Sequence, residues 1–189
     1  LILQENFTAK LLEQLRLCEL DAAILAEPFP DTNLAVAPLY DEPFVAVVPR
    51  DHPLAARESI TAEELKRETM LLLGTGHCFR DHVLEVCPEF ARFSSNADGI
   101  RKSFEGSSLE TIKHMVAAGM GITVVPQLSV PARDDSGASL VRYLRFAEPV
   151  PTRRVVLTWR RTFTRYEAIA ALRNAVYACA LDGVTRLSG

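Results

Sequence analysis

The sequence predicts an α/β fold of two small lobes with mostly parallel sheets. Three observations predict it. Short apolar runs at residues 22–26 (AAILA), 70–73 (MLLL) and 122–125 (ITVV) alternate with segments whose apolar residues recur at helical spacing. Capping sequences stand directly before two of the helical segments. A length of 189 residues, 48% of them hydrophobic, is enough for two lobes with cores of their own.

In chain order, residues 1–4 (LILQ) read as a short strand. Thr8 is placed to cap a helix running to about Leu17, with Leu11, Leu12 and Leu15 on one face. Residues 22–26 form a buried strand, followed by a loop with Pro28 and Pro30. Residues 34–39 and 44–48 read as two strands separated by a turn at Tyr40-Asp41-Glu42-Pro43. Asp51-His52-Pro53-Leu54 is a second turn, and Thr61-Ala62-Glu63-Glu64 is a capping box opening a short helix. The strand at 70–73 ends at Gly74-Thr75-Gly76. A polar stretch, 92–106, leads to a second capping box, Ser107-Ser108-Leu109-Glu110. Its helix turns Leu109, Ile112, Met115 and Val116 inward and stops at Gly119 or Gly121. Strands at 122–125, 141–144 and 154–159 and a terminal helix at 166–181 complete the pattern.

A net charge of −3 and a pI of about 5.8 do not suit a surface that grips nucleic acid. No apolar run approaches the length of a membrane span, so no transmembrane helix is expected. The chain has no initiator Met and no signal peptide, and it opens inside an apolar pattern, LILQENF. It is therefore expected to be a piece of something longer. Cys18 and Cys179 sit in apolar, helix-like runs and read as small packed residues. His52 is expected in a surface turn and His114 on the exposed side of its helix.

Residues 76–87, GHCFRDHVLEVC, concentrate the chemistry. Ligands of α/β folds bind at the carboxyl ends of strands beside helix N-termini, and Gly74-Thr75-Gly76 marks such an end. His77, Cys78, His82 and Cys87 are zinc-ligand types, but adjacent His77 and Cys78 point apart and no CxxC or HxxxH pair exists. A metal site is not expected, and no cofactor is implied. A buried helix start with an inert thiol remains open. Against it, Cys78 follows a Gly-x-Gly turn at the positive end of a helix, with His77, Arg80 and His82 close by. Such surroundings favour thiolate character, and thiolates are what peroxides attack. Asp81 is placed to orient Arg80 or cap the helix.

Cys87 follows nine residues after Cys78. In a regular helix that gap spans about 13 Å at about 1.5 Å per residue, and a disulfide needs Cα atoms within about 7 Å. A disulfide between them requires the intervening segment to unwind, which is the physical basis of a redox switch.

TMLLLGTGHCFRDHVLEVC and SSLETIKHMVAAGMGITVVPQLSVP, with LDAAILA, PLYDEPFVAVVPRDHPL and RRVVLTWR, closely resemble the regulatory domains of peroxide-sensing LysR-type transcription regulators. GHCxRD with a second cysteine nine residues on is the specific part. The resemblance implies a periplasmic-binding-protein-like fold, with residues 1–49 and 150–189 in one α/β subdomain and 50–149 in the other. It implies that a winged helix-turn-helix, its linker helix and a first strand-helix unit are not in this chain. Cys78 then corresponds to the peroxidatic thiol and Cys87 to its resolving partner. His77, Arg80 and Asp81 correspond to residues shaping the thiolate pocket. Gly76, Thr8 and Arg153 (whose neighbour Arg154 competes for the register) correspond to peroxide contacts. Further implications are a cytoplasmic homodimer or homotetramer, promoter DNA held by the part not present, contact with RNA polymerase, and a thiol reductant for resetting; no membrane partner and no enzyme activity are implied. Two departures stand out: the 88–106 segment is longer than in some members and has no histidine, and Cys18 stands where glycine is common. A thiol peroxidase, and a small-molecule-binding domain with incidental thiols, are the competing readings.

Overall fold

A computed structural model describes residues 1–30, 33–88, 105–106, 108–131 and 139–187. The chain forms two compact units, Leu1–Glu42 with Thr152–Gly189, and Pro43–Pro151.

The first unit holds α1 (Thr8–Arg16), β1 (Ala22–Ala26), the leading part of β2 (Leu34–Pro49), β8 (Thr152–Arg160), α5 (Tyr166–Ala178) and β9 (Thr185–Arg186). β1 runs antiparallel to β8 in a register that sets Ala22 opposite Trp159 and Ala26 opposite Val155. β9 lies antiparallel to β2 at Tyr40 and Asp41. Leu12 and Leu15 of α1 pack on Ala23, Leu25 and Leu34, and Ile169 of α5 packs on Leu39, Val155 and Leu157. These pairs explain why residues at helical spacing in α1 and α5 meet alternate residues of the strands.

In the second unit the trailing part of β2 is flanked by β6 (Thr123–Pro126) and β7 (Val141–Phe146), both antiparallel to it. β3 (Ser59–Ile60) runs parallel to β7, and β4 (Leu72–Leu73) parallel to β5 (Glu105–Gly106). α2 (Ala62–Leu65), α3 (Cys78–Val86) and α4 (Leu109–Ala117) complete it. Thr61 Oγ1 accepts from the Glu64 N–H at 3.3 Å while Glu64 Oε2 accepts from the Thr61 N–H at 2.9 Å, so the expected capping box forms. α4 buries Ile112 and Val116 and leaves His114 exposed, as its spacing requires.

The α/β class holds, but the sheets are mixed. Among the described ladders only β3–β7 and β4–β5 are parallel. Buried apolar runs look alike in parallel and antiparallel sheets, so strand direction had no local signature. β2 corrects a second expectation. It is one strand of 16 residues, not two strands and a turn. Asp41 and Glu42 are turn-forming types only while unpaired; here Arg154 and Arg153 of β8 neutralise them, and β9 occupies the backbone at Tyr40 and Asp41.

Local details differ as well. Residues 1–4 are irregular, with Leu1, Ile2 and Leu3 exposed, because an apolar run becomes a strand only when a ladder takes up its backbone groups. Thr8 is the first helical residue; Phe7 holds the cap position and its N–H donates to Asn6 Oδ1 at 2.9 Å. α4 is capped by Ser108, which accepts from the Thr111 N–H at 3.2 Å, one residue later than expected, so Glu110 falls outside the capping-box register and pairs with Lys113 instead. Ser107, most of the 88–106 segment and residues 132–138 lie outside the described residues. Cys18 and Cys179 are exposed, not packed. Cys18 follows the end of α1 at φ +63°, a conformation that carries its side chain off the helix face. Cys179 is the residue that ends α5.

Candidate redox site

The site is assembled from the sheet outward. Gly121 allows a close approach: a Cβ there would lie 2.5 Å from the Thr69 carbonyl oxygen. The Ile122 N–H donates to that oxygen at 2.9 Å, Leu71 N–H donates to the Ile122 oxygen at 2.8 Å, and the Thr123 hydroxyl donates to the Leu71 oxygen at 2.7 Å. This stitching fixes residues 69–73 against the segment leading into β6. β4 therefore delivers the chain rigidly to Gly74, and Gly76 at φ +96° turns it into α3. That backbone conformation is disfavoured for a residue with a side chain.

Cys78 is the first helical residue of α3 and is half-buried. It belongs to the first turn, the end of a helix at which negative charge is favoured. His77 occupies the cap position but supplies no side-chain cap. Phe79, Arg80, His82 and Val83 are buried, and Asp81 and Glu85 face solvent. Arg80 donates from Nη1 to the Leu73 carbonyl oxygen at 2.8 Å, which ties the first turn of α3 to the end of β4. Asp81 makes no hydrogen bond to Arg80 or to the helix start among the described residues; it lies on the opposite face, in the first turns where a carboxylate suits the helix dipole. Phe79 packs edge-to-face on Phe44 of β2, with ring centroids 5.3 Å apart and planes at 83°.

Cys87 ends the same helix. It is 0% exposed, and its N–H donates to the Val83 oxygen at 3.0 Å. All four cysteines are thiols. Because residues 78–86 are helical, Cys78 and Cys87 stand about 13 Å apart along the axis. Among the described residues no group of three or more His, Cys, Asp or Glu is arranged to hold a metal, and no helix is long and apolar enough to cross a membrane.

The turn and first turn of α3 thus hold Gly76, His77, Cys78, Arg80 and Asp81 as neighbours in one unit. Thr8 and Arg153 belong to the other unit. There, Arg153 donates from Nε to Glu42 Oε2 at 2.9 Å, with Nη2 2.8 Å from the same oxygen in an ion pair, and Glu42 is buried. Arg154 points to the opposite face of β8 and binds Asp41 with both ends of its fork, Nε to Oδ1 at 2.8 Å and Nη2 to Oδ2 at 3.0 Å. The Asp41 carboxylate raises the Arg154 pKa further. Half-buried Tyr40 is also pushed upward, first by burial and then by the Glu42 charge. Sequence reading singled out neither Glu42 nor Phe44. An Asp-Glu doublet matched by an Arg-Arg doublet was the available signal for the first; the second is one apolar residue among many.

Residues 1–178 match the family described as LysR substrate binding domain. The chain is 39% identical over 171 residues to a hydrogen peroxide-inducible genes activator of Pectobacterium carotovorum, with 89% of this chain and 54% of that protein covered. It is 38% identical over 171 residues to the DNA-binding transcriptional dual regulator OxyR of Escherichia coli, with 89% and 53% covered. It spans about half the length of the curated relatives it matches. Among solved structures, a reduced form of OxyR from N. meningitidis superposes with a TM-score of 0.91 at 38% identity, covering 99% of this chain and 85% of that one. The reduced OxyR regulatory domain from Pseudomonas aeruginosa gives 0.79 at 43% identity, covering 93% and 81%. The chain belongs to the LysR substrate binding domain family, among relatives that are hydrogen peroxide-inducible genes activators.

Proposed function

We propose that this chain is the hydrogen-peroxide-sensing regulatory domain of a DNA-binding transcription regulator. The observation that carries the reading is the placement of two thiols at opposite ends of one helix, Cys78 half-buried at its start and Cys87 fully buried at its end. The Cys78 thiolate attacks one peroxide oxygen and the O–O bond breaks. The leaving oxygen takes up a proton as water, and sulfur becomes the sulfenic acid. The Cys87 thiol then displaces the sulfenic hydroxyl as a second water and forms the Cys78–Cys87 disulfide. The second step requires α3 to unwind, and that change of shape is the signal.

In this reading Arg80 and the first-turn N–H groups stabilise the anionic sulfur and Gly76 offers its backbone to peroxide. His77 shapes the pocket from the cap position of α3. The two units serve as the two regulatory subdomains. DNA is held by a part of the regulator outside this chain. The assembled protein is a cytoplasmic homodimer or homotetramer that contacts RNA polymerase and is reset by a thiol reductant. It signals and does not turn over peroxide.

Mass spectrometry after one equivalent of peroxide tests the chemistry. A Cys78 sulfenate followed by a Cys78–Cys87 disulfide is expected, and Cys78→Ser should abolish both. Absence of both in the unmodified chain refutes the reading. Sustained peroxide consumption with a dithiol reductant would favour a thiol peroxidase instead. The coupling to shape is tested by circular dichroism: a disulfide formed with helix content unchanged sinks it.

A further inference from the structure

Closing a gap of about 13 Å to about 7 Å moves the ends of α3 together by about 6 Å. Neither end is free to travel. At the far end Cys87 is 0% exposed, Val83 is buried beside it, and the Cys87 N–H is held by the Val83 oxygen. At the near end His77 provides no side-chain cap. Two residues hold the first turn: Arg80, whose Nη1 donates to the Leu73 oxygen at 2.8 Å, and Phe79. Phe79 is buried and meets the fully buried Phe44 of β2 edge-to-face, within the same core cluster. Consecutive Cα atoms are about 3.8 Å apart, so Cys78 cannot travel several ångströms and leave Phe79 seated.

We infer that Phe79, through its seat on Phe44, is a positioning residue that sets how fast the Cys78 sulfenic acid closes onto Cys87. It touches neither peroxide nor the reacting sulfur in this role. It holds Cys78 at the helix start, where peroxide is reduced, and must be withdrawn from the core before the disulfide forms. Oxidation of Cys78 is thereby separated in time from the change of shape. The size and packing of the residue after the reactive cysteine become the setting of that delay. This inference rests on the proposed peroxide chemistry.

The experiment separates the two steps. The domain is mixed with peroxide and quenched at intervals with a sulfenate-trapping diketone, and sulfenate and disulfide are counted by mass spectrometry. In the unmodified chain the sulfenate precedes the disulfide; if neither forms, the proposed function fails and not this inference. In Phe79→Leu, which keeps an apolar side chain but loses the edge-to-face contact, closure is expected to accelerate about threefold, with the rate of sulfenate formation unchanged. Phe44→Leu, altering the seat from the other side, is expected to do the same. Val125→Ala removes core packing on β6 and is the control for a general loss of stability. Acceleration in both phenylalanine variants but not in the control supports the inference. Unchanged closure in Phe79→Leu, or equal acceleration in Val125→Ala, overturns it.

Discussion

Arg153 sets two nitrogens, Nε in a hydrogen bond and Nη2 in an ion pair, against a single oxygen of Glu42, and Glu42 is the more deeply buried partner, with its side chain 1% exposed against 20% for the arginine. The neighbouring pair, Arg154 with Asp41, has the better fork geometry but lies in solvent. Burial decides which pair matters. Taking away one member of a buried pair costs about 3–5 kcal/mol, because the remaining charge is stranded in a poor solvent. An exposed pair contributes about 0–1 kcal/mol. Arg153→Ala is therefore expected to lower stability in urea unfolding by several times the effect of Arg154→Ala. Equal effects would show that Glu42 reaches water in the folded protein.

Cys87→Ser isolates the first chemical step. With no resolving thiol, the Cys78 sulfenic acid should persist after one equivalent of peroxide and advance to the sulfinic acid in excess. Helix content should stay at the reduced value throughout, because nothing draws the ends of α3 together. Mass spectrometry and circular dichroism on the same sample check both statements; a large loss of helix in Cys87→Ser would mean that oxidation of Cys78 alone unwinds the segment.

Gly121→Ala tests the stitching beneath the site. The added Cβ would meet the Thr69 oxygen at 2.5 Å, and that oxygen is backbone already engaged by the Ile122 N–H. Neither can move aside without loosening residues 69–73. A destabilisation of about 1–3 kcal/mol is expected from the overpacking. The reactivity of Cys78 toward peroxide should fall as well, since β4 sets the start of α3. Unfolding midpoint and thiol reactivity, measured together, separate this from a loop of no consequence.

The acid limb of stability should carry the mark of Glu64. Hydrogen bonds from the Thr61 backbone N–H and then its hydroxyl hold the Glu64 carboxyl below its usual range. A carboxyl whose pKa is depressed on folding contributes stability that is present above its unfolded value of about 4.3 and is lost as the pH falls through the lower folded value. Glu64→Gln should flatten the fall in stability below about pH 4.3 and leave the alkaline side unchanged. Urea midpoints measured across that range decide it; parallel curves for the two proteins would mean the capping box does not persist in solution.

What could be read from the residues in order follows a physical divide. The Thr61 capping box, the inward face of α4 and the start of α3 after Gly76 are set by contacts reaching three or four residues along the chain, and each was legible. The continuity of β2 was not. Asp41 and Glu42 look like turn residues until Arg154 and Arg153 arrive from more than a hundred positions away, at separations of 113 and 111. Cys18 misled for the complementary reason: its apolar neighbours suggest burial, whereas its positive φ places it beyond the end of the helix face.

By itself the sequence determined the chemistry and its spacing: a thiol at a helix start, a second thiol nine residues on, and a glycine turn that presents the first. Those are properties of neighbouring residues. The tertiary structure alone decided that Cys87 is wholly buried, that Phe79 is seated on Phe44, and that Arg153 and not Arg154 meets a buried carboxylate. Each of these depends on which distant strand shares a core with which helix, a pairing that no run of neighbouring residues encodes.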